Sequence, residues 1–408
     1  MDEYMEPEGF RLNLNALVQA LRNVTWLLQK QKASLPDFAE WYPEWQTSVK
    51  DDQVMKWVVK ARNRIVKEAD LELNSTARLT VALDWVHGGE KVFTVPPRWT
   101  PRDIAQMMLR KGLPPGLEEG ETSLTIERRW VDRLLPDREL LTACAHAMGE
   151  LTRVLQTAHD QFGVEQCDLD RRSRECVGPE LESPLPCMWL GENPRTAYFD
   201  YATLAPYDSR HHRVHFDPKL AEVARERYGD FPPLSGGPVE RVRQILEMGK
   251  VSLAADGEIV TTVWLMRGEE VVDMQVPVFF DQAGKMLAMQ SLATRVELLN
   301  ADGFCLVGEV WTAPVPSVEH LRSGTYTRAR DHPDRTEGIH AFGITKDGGF
   351  LSIVAPFTRE GDQFIIGGAD TESEPGVLMM MRPIMRVWGI EDPHPMETVM
   401  RMAEENDE

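Results

Sequence analysis

The chain has 408 residues, of which 42% are hydrophobic and 27% charged, with a formal net charge of −20. That length exceeds one compact core and implies about two or three domains. The acidity excludes nucleic-acid binding as a whole-molecule property, because such a surface repels a phosphate backbone. No apolar run approaches the roughly 18–20 residues of a membrane-spanning helix. The opening "MDEYMEPEGF" lacks the basic and apolar regions of a signal peptide, so a bacterial cytoplasmic location is expected. Five cysteines, with no C-x-x-C pair among them, read as reduced thiols.

Residues 9 to 70 read as helices. Leu14, Leu17, Leu21, Val24 and Leu28 recur at helical steps. Pro36 and Asp37 mark a turn before a short aromatic-rich helix. A second long helix is expected from Asp51, a good N-cap, to Glu68. Its buried stripe is Val54, Trp57, Val58, Ala61 and Ile65, which leaves Lys56, Lys60 and Lys67 on the outer face.

This helix carries "ARNRIVKEADL", with Arg62, Asn63 and, five residues after the arginine, Lys67. The pattern resembles the motif of HEPN-domain ribonucleases, small helical bundles with an R-x(4–6)-H motif that often has Asn directly after the Arg. In that family two protomers commonly bring their motifs together to cut RNA. The resemblance implies a helical bundle here, with Arg62, Asn63 and Lys67 as RNA or phosphate contacts. It also implies a loss of cleavage, because Lys67 stands where the family has histidine. An ordinary lysine, with a pKa near ~10.4 against ~6.5 for imidazole, is a poor proton shuttle but can hold a phosphate. Read from spacing alone, Lys56, Lys60, Asn63 and Lys67 are equally a solvated face. A second Arg–His spacing, Arg153 to His159, lies within a long helical run and arises readily by chance.

Further along, "ARLTVALDWV" and "EKVFTVP" read as strands joined at "HGGE". A helix around "PRDIAQMMLRKG" follows. The run from Glu127 to Gly163, starting "ERRWVDRLL", reads as one long helix with Gly163 as its stop. Residues 164 to 237 are rich in Pro, Gly, Asp and Arg and read mostly as a connecting region with one or two short strands, such as "TAYFDYATL". It carries Cys167, Cys176 and Cys187, whose spacings do not fit the usual zinc ribbons. It also carries His211, His212 and His215. These could share a metal on a helix, but Val214 and Phe216 look strand-like, and the flanking arginines repel a cation.

From Pro238 the pattern reads as helix, hairpin, helix, strand, polar loop and three strands. "FCLVGEVWTA" is an apolar strand interrupted by Glu309. The loop that follows holds Arg328, Arg330, His332, Asp334, Arg335 and Glu337. Glu309 is expected to face outward or to pair with a base such as Arg328 or Arg335. The cluster is either a structural ion-pair network or a ligand loop for a small anion or a partner's acidic tail.

The reading is an α+β protein in four parts. Residues 1–163 form a helical bundle with a small β insertion, and 164–237 an irregular connection. Residues 238–390 form an antiparallel sheet with helices on one face, and 391–408 an acidic tail. Both ends of the chain are expected to be frayed. No Walker loop, dinucleotide fingerprint, metalloprotease, hydrolase or kinase motif is present, and no cofactor or metal is implied. The function expected is non-enzymatic binding, regulation or assembly. The alternative is an enzyme acting on RNA or nucleotides, of the kind found in defence or toxin systems. Expected partners are a protein or a second copy, with a small anionic ligand next; nucleic acid would bind weakly at best, and no membrane is expected.

Overall fold

The structure is a computed structural model. It describes residues 3–84, 87–109, 117–163, 195–207, 210–213, 218–230, 233–323, 327–361, 363–372, 381–390, 400 and 403–404. The chain divides into two compact units: Met1–Val81 with Gly89–Tyr207, and Ala82–Gly88 with Asp208–Glu408.

The first unit joins a helical core to a sheet. Helix α1 (Pro7–Lys30) starts on proline, whose missing N–H costs nothing there, and buries Phe10, Leu14, Val18, Leu21 and Leu28 along one stripe. Helix α2 (Phe38–Ser48) contributes buried Trp41 and Tyr42. Helix α3 (Gln53–Lys67) is capped by Asp52, one residue later than expected, whose carboxylate accepts from Met55 N at 2.8 Å. As the spacing predicts, Trp57 is buried while Lys56, Lys60 and Lys67 are exposed. Ile65 is partly buried against the same core.

Strands β1 (Leu73–Ala82), β2 (Gly88–Val95), β3 (Ser123–Asp132) and β4 (Thr196–Asp200) form a sheet of order β2-β1-β3-β4. Helix α4 (Pro101–Leu109) lies between β2 and β3 in sequence. The sheet overturns one expectation, since Glu127–Asp132 is strand rather than the start of a long helix. Leu124, Ile126, Arg128 and Trp130 alternate onto one face and are all buried, a period of two that a helix cannot satisfy. Pro136 would also break a helix running through it. Helix α5 (Leu140–Phe162) therefore begins after it, where the Glu139 carboxylate accepts from Leu141 N and Thr142 N. It ends at Gly163, whose φ of 60° is left-handed, as expected from the sequence.

Arg128 is fully buried, and its hydrogen-bond acceptors among the described residues are a hydroxyl and backbone carbonyls rather than a carboxylate. Its guanidinium donates to Trp99 O at 2.5 Å, Ser75 Oγ at 3.0 Å, Pro97 O at 3.2 Å and Pro96 O at 3.4 Å. It also lies 3.8 Å from the Trp130 ring centroid, a cation–π contact. Burial pulls its pKa down to about 10, so it stays charged at neutral pH. The N-terminal segment is not frayed throughout, as the sequence had suggested. Tyr4 is buried, donates from its hydroxyl to Glu139 at 2.7 Å, and accepts on its carbonyl from the Trp130 indole at 3.0 Å.

The described part of 164–237 belongs to regular elements of both units. β4 joins the first sheet. β5 (Arg210–Arg213) and helix α6 (Pro218–Tyr228) belong to the second unit. Cys167, Cys176 and Cys187 lie outside the described residues. Cys144 and Cys305 are buried free thiols, and burial pushes each up to about 12.

The second unit is built on an eight-stranded antiparallel sheet. Helix α7 (Pro238–Asp256) precedes the hairpin β6 (Thr262–Arg267) and β7 (Glu270–Val278). Helix α8 (Gln282–Leu298), β8 (Gly303–Thr312) and the short α9 (Val318–Ser323) follow. Then come β9 (Thr336–Thr345), β10 (Phe350–Glu360), β11 (Gln363–Ile366), β12 (Asp370–Glu372) and helix α10 (Arg382–Trp388). The strand order is β11-β10-β9-β8-β6-β7-β5, with β12 also on β10.

The α+β class is as expected, but the helices cover both faces of this sheet rather than one. Cys305 and Val307 pack with α7, whereas Phe304 and Leu306 pack with α8 and α10. Successive residues of β8 point to opposite faces, and both sets are apolar. Under α8, Asp273 accepts from Arg295 Nη2 at 2.9 Å and Nε at 3.1 Å, and from Gln275 at 2.8 Å. On the other face the first turn of α7 lies directly on backbone. A Cβ at Gly343 would meet Pro238 O at 2.5 Å, and one at Gly303 would clash with the Pro238 ring.

Replacing Arg128 by Met leaves three turn carbonyls without donors, at about 1–3 kcal/mol each. The first unit should therefore lose at least about 3 kcal/mol in urea melts, with Lys recovering only part because it lacks the guanidinium fork. A loss under about 1 kcal/mol would show that the carbonyls find water instead. A second expectation concerns pH. His340 faces the α8 side beside Ser352 Oγ at 2.9 Å, and burial holds its pKa down to about 4. The folded state keeps this ring neutral while an unfolded chain protonates it near ~6.5, so its stability term is whole above that pH and fades toward pH 4. The term amounts to at most about 3 kcal/mol. Calorimetry at pH 7 and 4.5 should show a smaller pH-dependent drop for His340→Gln than for the natural chain.

Candidate functional site

The motif on α3 is presented but holds no acid–base pair. Arg62 is half-buried and donates from Nη1 to its neighbour Asn63 at 3.4 Å. Lys67, the last helical residue, is exposed. The histidine that packs against this helix is His146 of α5, and its Nε2 lies 2.7 Å from Asp52 Oδ2. Asp52 caps the opposite end of α3, so about 15 Å of helix axis separates it from Arg62 and about 22 Å from Lys67. Arg153 and His159 are both exposed on α5, and Arg153 pairs with Glu150 at 2.8 Å.

The polar loop of the second unit splits into two groups. Glu309 does not pair with Arg328 or Arg335. It accepts from Ile259 N at 2.7 Å and meets Arg359 Nη2 at 3.6 Å, and Arg359 Nε also binds Glu337 at 3.1 Å. Arg359 donates as well to Gly257 O at 3.2 Å, the C-cap of α7. The strand register explains this. Glu309 faces Ile339 and Trp311 faces Glu337, while Glu337 also faces Phe357, two residues before Arg359. Three neighbouring strands thus clamp the end of α7.

The rest of the loop is cationic. Arg335 stacks over Trp311, 4.4 Å from the ring centroid, and donates to the Arg330 carbonyl. Arg330 pairs with Asp331 at 3.2 Å, and His332 Nδ1 accepts from Asp334 N at 3.1 Å. Arg328 precedes a 3-10 turn, Ala329–Asp331, at its N-cap position without a side-chain capping bond. Lys285, in the first turn of α8, has its pKa lowered by burial and then by the charge of Arg330.

A third feature was not anticipated. A pocket of about 380 Å³ opens between α1, α2 and α3. Its lining includes Lys56 and Lys60, the residues the sequence places on a solvated face. The other contributors come from α1, α2, α3 itself, α5 and the α2–α3 turn, and their convergence is not visible in any one segment. His211 and His212 lie on β5, in line with the strand reading, and His215 lies outside the described residues. Among the described residues no group of three His, Cys, Asp or Glu could hold a metal, and no helix is long and apolar enough to cross a membrane.

Comparison with known proteins adds one finding. The family model described as bacteriophage lambda protein ea47 matches residues 1–404. The chain belongs to the phage lambda ea47 family. Protein ea47 of Escherichia phage lambda is 27% identical over 322 residues, covering 76% of this chain and 75% of the relative. No solved structure matches. The match runs through both units and the residues between them, so the family corresponds to the whole two-unit chain rather than to the helical part alone.

The two halves of the loop should behave differently on substitution. Glu309→Ala leaves the Ile259 N–H without its acceptor and should cost the second unit about 1 kcal/mol. Arg335→Ala removes an exposed stacking contact and should stay within about 0.5 kcal/mol. Urea midpoints of the two variants check this; equal losses would mean that the whole loop is structural.

Proposed function

We propose that this ea47-family protein is a non-enzymatic binding and assembly protein of the bacterial cytoplasm. Its helical region acts as a HEPN-like bundle that has kept the surface of a nuclease motif without its chemistry. The observation that carries the reading is the setting of Arg62, Asn63 and Lys67. The arginine and amide bond to each other, the third position is an exposed lysine, and His146 is held by Asp52 at the far end of the helix. A general acid–base contributes about 10²–10⁴-fold in rate, and nothing on this face supplies one. The helical core of α1, α2, α3 and α5 supports the bundle, and membership of a phage family supports action inside a bacterial cell. The cationic half of the C-terminal loop supports a second contact, to a small anion or a partner's acidic segment.

The test is direct. Labelled single-stranded RNA incubated with the full chain should remain intact. Its binding should be weak and fall steeply from low to physiological salt, because few phosphates are neutralised. Lys67→His should gain detectable cleavage if the bundle pairs its motifs as HEPN domains do. Cleavage by the natural chain that Arg62→Ala abolishes would replace this reading with an RNA-cutting enzyme.

A further inference from the structure

We propose that the pocket between α1, α2 and α3 is a binding site for a small amphipathic anion, an apolar chain or ring ended by a carboxylate, sulfonate or phosphate. The inference goes beyond the nuclease question and does not depend on its answer. It begins with charge. The chain carries 65 acidic against 45 basic residues, yet the pocket lining holds four cations, Arg22, Lys50, Lys56 and Lys60, and no Asp or Glu. Of the four, Lys56 pairs with the exposed Asp51 at 3.0 Å, outside the lining. Arg22 donates to the neutral Thr25 hydroxyl, and Lys50 and Lys60 have no acidic partner among the described residues. Uncompensated like charges around one cavity repel one another, and a bound anion relieves that repulsion.

The second argument is the floor. Leu21, Val58 and Leu151 are all buried at the base of the pocket, and the aromatic rings of Tyr42 and Trp45 also line it. An apolar floor favours a hydrocarbon body and strengthens the field of the cations at its edge by lowering the local dielectric. One donor is available among the lining residues. Tyr42 Oη accepts from Gln29 at 2.8 Å and so has its own proton left to give to a ligand oxygen.

Size selects the class. A cavity of about 380 Å³ lies within the ~300–1,000 Å³ of small-molecule sites. A single apolar body with one anionic end fits volume, floor and rim together.

The test uses the full chain and 8-anilinonaphthalene-1-sulfonate, an apolar ring system with one sulfonate. Its fluorescence should rise saturably at one site, and decanoate below its micellar range should displace it. Decanol, with the same chain and no charge, should compete at least about tenfold less well, and decyltrimethylammonium should not compete. Lys60→Glu and Lys50→Glu change exposed residues and should each weaken decanoate at least about fivefold, with unchanged circular dichroism. Lys91→Glu, on exposed β2, should not. Equal competition by decanol and decanoate, or indifference to Lys60→Glu, would overturn the proposal in favour of a generic apolar cleft. Absence of a saturable signal would overturn it outright. Tighter displacement by an amphipathic Leu/Glu helical peptide than by decanoate would also overturn it, making the site a protein-docking surface.

Discussion

A charge that cannot leave the core organises the first unit. Arg128 sits in the interior strand β3, and an isolated cation in such a place is affordable only when its donors are used. It spends them on the Ser75 hydroxyl of β1 and on the carbonyls of the Pro96–Trp99 turn. Its flat face lies on Trp130, which belongs to the same hydrophobic core as α1, α3 and α5. One side chain therefore ties sheet, turn and helical core together. The helices that shape the pocket share that core with Trp130 of β3.

The second unit handles buried charge differently. Asp273 and Arg295 neutralise each other beneath α8, with Gln275 donating to the same carboxylate oxygen. Such a pair adds little net stability over an apolar replacement, but removing one partner alone is expensive. On the opposite face Glu309, Arg359 and Glu337 make a half-exposed network whose value lies in geometry, since it fastens the end of α7 to the strands it crosses. Across both units, isolated basic surfaces stand out because the chain as a whole is acidic. The α3 face, the loop at Arg330 and the pocket rim are local departures from a repulsive background. An anion would have to be recognised at short range, with desolvation doing much of the selecting.

What could be read from the sequence follows from how local each signal is. The stripe of α1 and the Trp57 face of α3 are written in consecutive turns, so periodicity finds them. The C-terminal hairpins are marked by glycine-bearing turns between alternating residues. Strand β3 was hidden because "ERRWVDRLL" has the charge and apolar spacing of an amphipathic helix; Pro136 marks a break after it, but a strand means burying Arg128, whose acceptors lie about thirty and fifty residues upstream. Strand β4 is legible in "TAYFD" itself, but its partner β3 is not, because the two pair across a long intervening segment. Glu309 was conspicuous, but its partner Arg359 is fifty residues on, and nearer arginines looked equally suitable. The pocket draws its lining from several separate segments, so no window of sequence contains it.

The close seat of α7 on the sheet carries a consequence of its own. Pro238 rests on Gly303 and Gly343, and further along the helix a Cβ at Gly249 would come within 3.1 Å of both Ile339 and Val307. Bare backbone at these points works as a notch and key. A helix held by ordinary side chains can creep by fractions of a turn as those side chains change rotamer. Helix α7 instead lays its first turn on the sheet backbone at Gly343 and its own bare backbone on the Ile339 and Val307 methyls at Gly249, which leaves less room for such creep. A side chain added at Gly303, Gly343 or Gly249 would therefore have to push helix α7 away from the sheet, so these glycines set how closely helix and sheet can approach.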